Sequence, residues 1–191
     1  MAAESSLKNM TLTLTVICLV CSSLLAGAYV LTKGPIEKAA ASKLEKSLSA
    51  VLPEFDTVEA GTVDVDGTEY NYYSAIKDGA VAGYAVESGT IGFGGPLSIL
   101  VGLCSDGTVY NTSVLSHSET PGLGAKCTSD RKFIDQWKGL DPSVRILSVK
   151  KDGGDIDAIT ASTITSRAYT RAVEGAVAAY RTITAGGQDN E

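Results

Sequence analysis

Histidine is almost missing from this chain: His117 is the only one in 191 residues. With a single His, no metal-ligand cluster and no Ser-His-Asp type triad is visible. Basic charge is also short. Lys and Arg number 16 against 22 Asp and Glu, a net charge of -6. A general nucleic-acid binder needs a basic face to meet phosphates, so no nucleic-acid partner is expected. Nor is there a basic patch for anionic lipid. Internal repeats and low-complexity tracts are absent as well. The four cysteines fall into two pairs. Cys18 and Cys21 lie one helical turn apart in an apolar run and read as small apolar residues. Neither has a Leu three residues before it, so a lipoprotein is not expected. Cys104 and Cys127 lie in the body of the chain, where their sequence positions leave a disulfide open.

What the chain does have is one long uncharged stretch. Leu12 to Leu31 reads LTLTVICLVCSSLLAGAYVL. About twenty apolar residues cross a bilayer core of roughly 30 Å. Lys8 precedes the stretch and Lys33, Glu37 and Lys38 follow it, which does not oppose an N-in, C-out orientation. A cleavable signal peptide ending at Ala26-Gly27-Ala28 is the rival. A retained anchor is favoured because the apolar run continues to Leu31. Both readings put the body outside the cytoplasm. With 44% hydrophobic and 20% charged residues, that body should fold as a globular domain.

The expected organisation is a cytoplasmic N-terminus over 1–11, a transmembrane helix over 12–31, a connecting helix over 32–54, a folded domain over 55–185 and a disordered tail over 186–191. Pro35 suits the first turn of the connecting helix, and Leu44, Leu48 and Leu52 form its apolar stripe. Asp-Gly pairs at 66–67, 78–79, 106–107 and 152–153 signal turns between strands. The run 70–76, the turn at 78–79 and the run 81–86 predict a hairpin. Leu97, Ile99, Val101 and Leu103 alternate as one buried strand face. A short helix is expected over 130–137 with Ser129 as its cap, and a strand over 144–149. A terminal helix over 163–182 would bury Ala168, Ala172, Ala176 and Tyr180.

Three stretches carry the chemistry. The first is Asp157 to Ser166, DAITASTITS, which opens the terminal helix. Unpaired N–H groups and the positive end of a helix suit a phosphate. Thr160, Ser162, Thr163, Thr165 and Ser166 add hydroxyls, although a helix cap rich in Ser and Thr has the same composition. The second is the loop His117 to Lys126, HSETPGLGAK. Pro121, Gly122 and Gly124 would let backbone groups approach a flat ring. Glu119 and Thr120 could hydrogen-bond a ring edge, Leu123 could pack on its face, and Lys126 could favour an electron-rich ring. A plain turn with solvated charges fits the same residues. The third is the Gly-rich loop Gly92-Phe93-Gly94-Gly95-Pro96.

All three stretches, in this order and spacing, resemble the FMN-binding domain of the Rnf G subunit and of the C subunit of the sodium-pumping NADH:quinone oxidoreductase. Thr160-Ala161-Ser162-Thr163 resembles the family's Ser/Thr-Gly-Ala-Thr tetrad, with Ala-Ser where Gly-Ala is common. Gly92 to Leu97 and His117 to Gly124 resemble two further family segments. The resemblance covers nearly the whole chain. It implies an α+β fold with antiparallel strands packed against helices, plus one N-terminal transmembrane helix. It also implies FMN bound covalently through a phosphoester to Thr163, installed by a flavin transferase that uses FAD. Thr160, Ser162, Thr165, Glu119, Thr120, Leu123, Gly124 and Lys126 would then surround that cofactor. The function implied is electron transfer within a complex coupling ferredoxin and NAD to ion movement, beside other membrane subunits of an Rnf-type complex. The chain would sit in the inner (cytoplasmic) membrane with its FMN domain on the extracytoplasmic side. The short chain favours the G subunit over the C subunit of the quinone pump. A membrane-anchored flavin-binding sensor or scaffold is the remaining alternative.

Overall fold

The computed structural model describes residues 7–186, so the first residues and nearly all of the expected tail lie outside the described residues. The chain divides into two units between Lys43 and Leu44. Helix α1, Leu7–Val51, is continuous. The span and connecting helix expected as two elements are one, with Pro35 in the interior. A proline there removes one backbone hydrogen bond and crowds the carbonyl four residues earlier, yet the helix runs on through it. In the N-terminal unit the apolar side chains of Leu12, Leu14, Leu19, Leu25 and Leu31 are exposed. By length and composition α1 is long enough to cross a membrane.

The second unit is built on an antiparallel sheet of five strands in sequential order: β1 Thr57–Val65, β2 Thr68–Lys77, β3 Ala80–Ile91, β4 Pro96–Cys104 and β5 Val109–His117. Two-residue turns join β1 to β2 and β2 to β3. Asp66, Gly67, Asp78 and Gly79 all take positive φ, between 51° and 79°, the backbone that matches the twist of a tight hairpin. The predicted hairpin and the alternating face of β4 are both present.

The sheet is covered on both faces. Leu97, Ile99, Val101 and Leu103 pack with helix α3, Thr163–Gly186, through Ala168, Tyr169, Ala172, Val173 and Ala176. On the other face Leu100, Ala75 and Ala85 meet Leu48, Val51 and Leu52 at the end of α1. Gly102 admits this approach, because a Cβ there would collide with the Val51 carbonyl. This is an α+β arrangement, as expected.

Two local expectations differ from the structure. The short helix α2 is Arg131–Asp135, and Asp130 rather than Ser129 caps it by accepting from the Lys132 N–H at 3.0 Å. Residues 144–149 form no strand. Val144 and Ile146 are exposed, while Leu147 packs against the core and Val149 is buried. The segment folds back on 155–156, where Asp155 Oδ2 accepts from the Ile146 N–H at 2.8 Å and Val149 makes one isolated bridge to Ile156. The stretch from Asp157 therefore enters α3 from irregular backbone. Cys104 and Cys127 are free thiols, and burial pushes the Cys127 thiol up to about 11.

Candidate functional site

Two loops and one helix end meet at one edge of the sheet. Gly92 to Gly95 connects β3 to β4, and its first N–H donates to the Gly95 carbonyl at 2.8 Å. The loop after β5 leaves the same edge: His117 pairs with Leu97, and the Ser118 N–H reaches the Pro96 carbonyl at 3.2 Å. Helix α3 is fastened there by Thr90, whose hydroxyl donates to the Ala168 carbonyl at 3.0 Å.

Between them lies a pocket of about 350 Å³ lined by Phe93, Glu119, Thr120, Leu123, Gly124 and the run Ala161 to Thr165. Its size is ordinary for a small-molecule site. The structure thus brings together Thr163, Ser162, Thr165, Glu119, Thr120, Leu123 and Gly124. Thr160 and Lys126, expected beside the same ligand, are not among the lining residues. Thr160 is exposed, just before the turn at Ala161. Lys126 belongs to the 3-10 turn Gly124–Thr128, where its carbonyl accepts from Ser129 and Asp130.

The helix end is unusual in two ways. Ala161 has φ of 60°, a left-handed conformation that glycine adopts without strain and alanine does not. The glycine common at this position in the resembling tetrad has a physical reason here. Ser162 is 7% exposed and its hydroxyl has no hydrogen-bond partner. Its carbonyl accepts the first helical bond, from the Ser166 N–H at 3.0 Å, so it occupies the cap position of α3 without acting as a side-chain cap. The Ser166 hydroxyl, by contrast, is fully engaged: it accepts from the Ile159 N–H at 2.9 Å and donates to the Ser162 carbonyl at 3.0 Å. Thr163 follows as the first residue of α3 and is half-buried.

The loop side carries a buried carboxylate. Glu119 is 5% exposed. Oε1 accepts from the Phe93 N–H at 2.9 Å and Oε2 from the Thr165 hydroxyl at 2.9 Å. Its own N–H donates to His117 Nδ1 at 3.2 Å, the structural use of the lone histidine. Thr120 holds the loop through its carbonyl, which accepts from the Leu123 and Ala125 N–H groups at 3.2 Å.

Phe93, Leu123 and Ile164 stand around the pocket 68%, 43% and 50% exposed. Phe93 and Ile164 were missed as site residues in the sequence. An aromatic between glycines and an apolar residue in a first helical turn were the available signals. FMN combines a flat ring, whose faces could pack on these three, with a phosphate that could meet the helix end and the free Ser162 hydroxyl. The residues fit that group.

The family described as FMN-binding domain matches residues 92–178, and the family described as RnfG N-terminal region matches residues 1–51. The G subunit of an ion-translocating oxidoreductase complex from Methanosarcina acetivorans is 34% identical over 93% of this chain and 96% of the relative. The G subunit of a proton-translocating ferredoxin:NAD(+) oxidoreductase complex from Clostridium ljungdahlii is 32% identical over 96% of both. Among solved structures, the C subunit of the Na(+)-translocating NADH-quinone reductase from Parabacteroides distasonis matches with a TM-score of 0.49 and 23% identity, over 73% of this chain and 81% of that one. The likeness to the two G subunits extends over nearly the whole sequence, apolar helix and pocket included, and on that ground the chain belongs to the G-subunit family of ion-translocating oxidoreductase complexes.

Proposed function

We propose that this chain is an electron-transferring subunit of a membrane-bound, ion-translocating ferredoxin:NAD oxidoreductase, with FMN held through a phosphoester to Thr163. The observation that carries the reading is Thr163 itself. It is half-buried at the start of α3, lines the pocket, and follows a cap residue whose hydroxyl has no protein partner. The N–H groups of the first helical turn and the Ser162 hydroxyl would hold the phosphate. Phe93, Leu123 and Ile164 would pack on the ring, and Thr120 and Gly124 would border its edge. Thr160 and Lys126 are given no contact with it.

Attachment makes Thr163 Oγ the nucleophile toward the flavin-side phosphorus of FAD. An Oγ–P bond forms, the pyrophosphate P–O bond breaks, AMP leaves and the hydroxyl proton goes to solvent. A separate flavin transferase catalyses this step. Bound FMN supplies one- and two-electron chemistry; the chain's own residues anchor it, exclude water from one side and set its surroundings. In this reading α1 is retained as a single-pass anchor beside the other membrane subunits, with the FMN domain on the extracytoplasmic side.

The test is intact mass after co-expression with a flavin transferase. The wild type should gain one FMN phosphoester, fluoresce on a denaturing gel and fractionate with membranes. Thr163→Val keeps the volume, removes the hydroxyl and should lose the adduct entirely. Thr160→Val should keep it. An adduct on the Thr163→Val protein overturns the assignment. A wild type that never gains flavin favours a scaffold role.

A further inference from the structure

We propose that Glu119 is the positioning residue of this site: its buried carboxylate ties the glycine loop to the first turn of α3 and places a negative charge against the flavin. The proposal rests on the reading of Thr163 given above and assigns Glu119 a role other than contact with a ring edge.

Carboxylates are seldom buried this completely unless paired. Glu119 is 5% exposed, and its two hydrogen-bond donors, the Phe93 N–H and the Thr165 hydroxyl, are both neutral. They come from the two sides of the pocket. Phe93 lies in the β3–β4 loop, and Thr165 lies two residues beyond Thr163 in α3. One side chain therefore bridges the loop and the helical turn that carries the acceptor residue, beside the Thr90 bond to Ala168 farther along α3.

The backbone is pared away to admit it. A Cβ on Gly92 would collide with Oε1, and one on Gly124 would collide with Oε2 and crowd Thr165 Oγ1. Two separate loops thus give up a side chain at the points where the Glu119 carboxylate passes. The match is also one of chemistry. Two donors face two acceptor oxygens. A glutamine could keep the Phe93 bond through its oxygen, but would meet Thr165 with an N–H, forcing that hydroxyl to turn and accept.

A role in packing alone would not need the charge, because desolvating a carboxylate is expensive. Glu119 lines the pocket, so its charge acts on whatever occupies the pocket. A negative charge there opposes added electron density and lowers the midpoint potential of a bound flavin.

The experiment compares Glu119→Gln, Glu119→Ala and Thr165→Val in the full chain, co-expressed with a flavin transferase. Three quantities are read: the rate of FMN attachment by intact mass, the flavin midpoint potential by redox titration, and amide exchange at Phe93 in protein purified without flavin. Losing a hydrogen bond to a charged group changes an equilibrium by about tenfold or more. Glu119→Ala should therefore speed Phe93 exchange and slow attachment by about tenfold or more. Thr165→Val, which cuts one end of the tie, should give a smaller effect of the same sign. Glu119→Gln should restore most of the attachment lost in Glu119→Ala, and the potential of its flavin should rise. Wild-type attachment and unchanged Phe93 exchange in Glu119→Ala overturn the tie. An unmoved potential in Glu119→Gln overturns the role of the charge. If Glu119→Ala does not fold, Thr165→Val decides the tie. If the wild type gains no flavin, the reading of Thr163 fails, while Phe93 exchange still tests the tie by itself.

Discussion

The helix side of the pocket, Ala161 to Thr165, and the loop side, Gly92 to Gly95 with Glu119 to Gly124, differ in what they leave unfinished. On the helix side a backbone residue is strained at φ 60° and a buried hydroxyl lacks a partner. On the loop side the buried carboxylate is matched to two donors, and the surrounding glycines make room for it. Strain and unmet polar groups gather where a fold serves a ligand rather than itself. The contrast fits the proposed division of tasks: the helix side would receive the charged phosphate, and the loop side would be the frame that keeps the helix side in place.

Filling the frame should have the largest effect. Gly124→Ala would drive a Cβ into the Glu119 carboxylate and against Thr165. Over-packing of a closed site costs about 1–3 kcal/mol, and here it also breaks the tie. We expect chemical denaturation to show a loss in that range for the flavin-free domain. Gly122→Ala is not a fair control, because Gly122 has φ of 77° and alanine is strained there for another reason. Unchanged stability in Gly124→Ala would mean that the loop is not a fixed frame.

Removing the unmet hydroxyl should do the opposite on the helix side. A buried hydroxyl without a partner is a penalty of roughly 1–3 kcal/mol, offset by the small cavity its removal leaves. Ser162→Ala should therefore leave the flavin-free domain as stable as wild type or more so, while slowing attachment of FMN. Thermal unfolding and intact mass read the two effects on the same preparation. A variant that loses stability without slowing attachment would show that Ser162 serves the fold and not the ligand.

The same contrast explains what was legible in the sequence. Hairpin turns, the alternating face of β4 and the buried stripe of α3 were readable because each depends on local pattern. The pocket loops were recognisable through their resemblance to the FMN-binding domain, because HSETPGLGAK read by its residues alone is a plain turn with solvated charges. The partners of Glu119 were not, because they come from residues 26 positions before it and 46 after it. A carboxylate in a loop reads as solvated until tertiary contacts bury it. The false strand over 144–149 failed for a related reason. Its β-branched residues have the right propensity, but no neighbouring strand takes them up and Asp155 captures the backbone locally. Thr160, expected at the ligand, precedes the left-handed turn at Ala161 and does not line the pocket.

The smallest expected change concerns that turn. Ala161 holds φ of 60°, where a Cβ crowds the backbone at a cost of about 1–2 kcal/mol. Glycine removes the crowding but adds freedom to the unfolded chain, which offsets about 0.4–1 kcal/mol of the gain. Ala161→Gly should therefore stabilise the flavin-free domain by a net amount of roughly 0–1.6 kcal/mol. Denaturant unfolding with an unchanged slope reads this directly. Ala161 is exposed, so the substitution opens no cavity and the backbone term stands nearly alone. Attachment gives the second half of the answer. If the alanine is merely tolerated, Ala161→Gly should gain FMN at least as fast as wild type, because the turn is reached without strain. If stability rises but attachment slows, the alanine is instead holding the turn that presents Thr163, and the strain on the helix side belongs to the function rather than to drift from glycine.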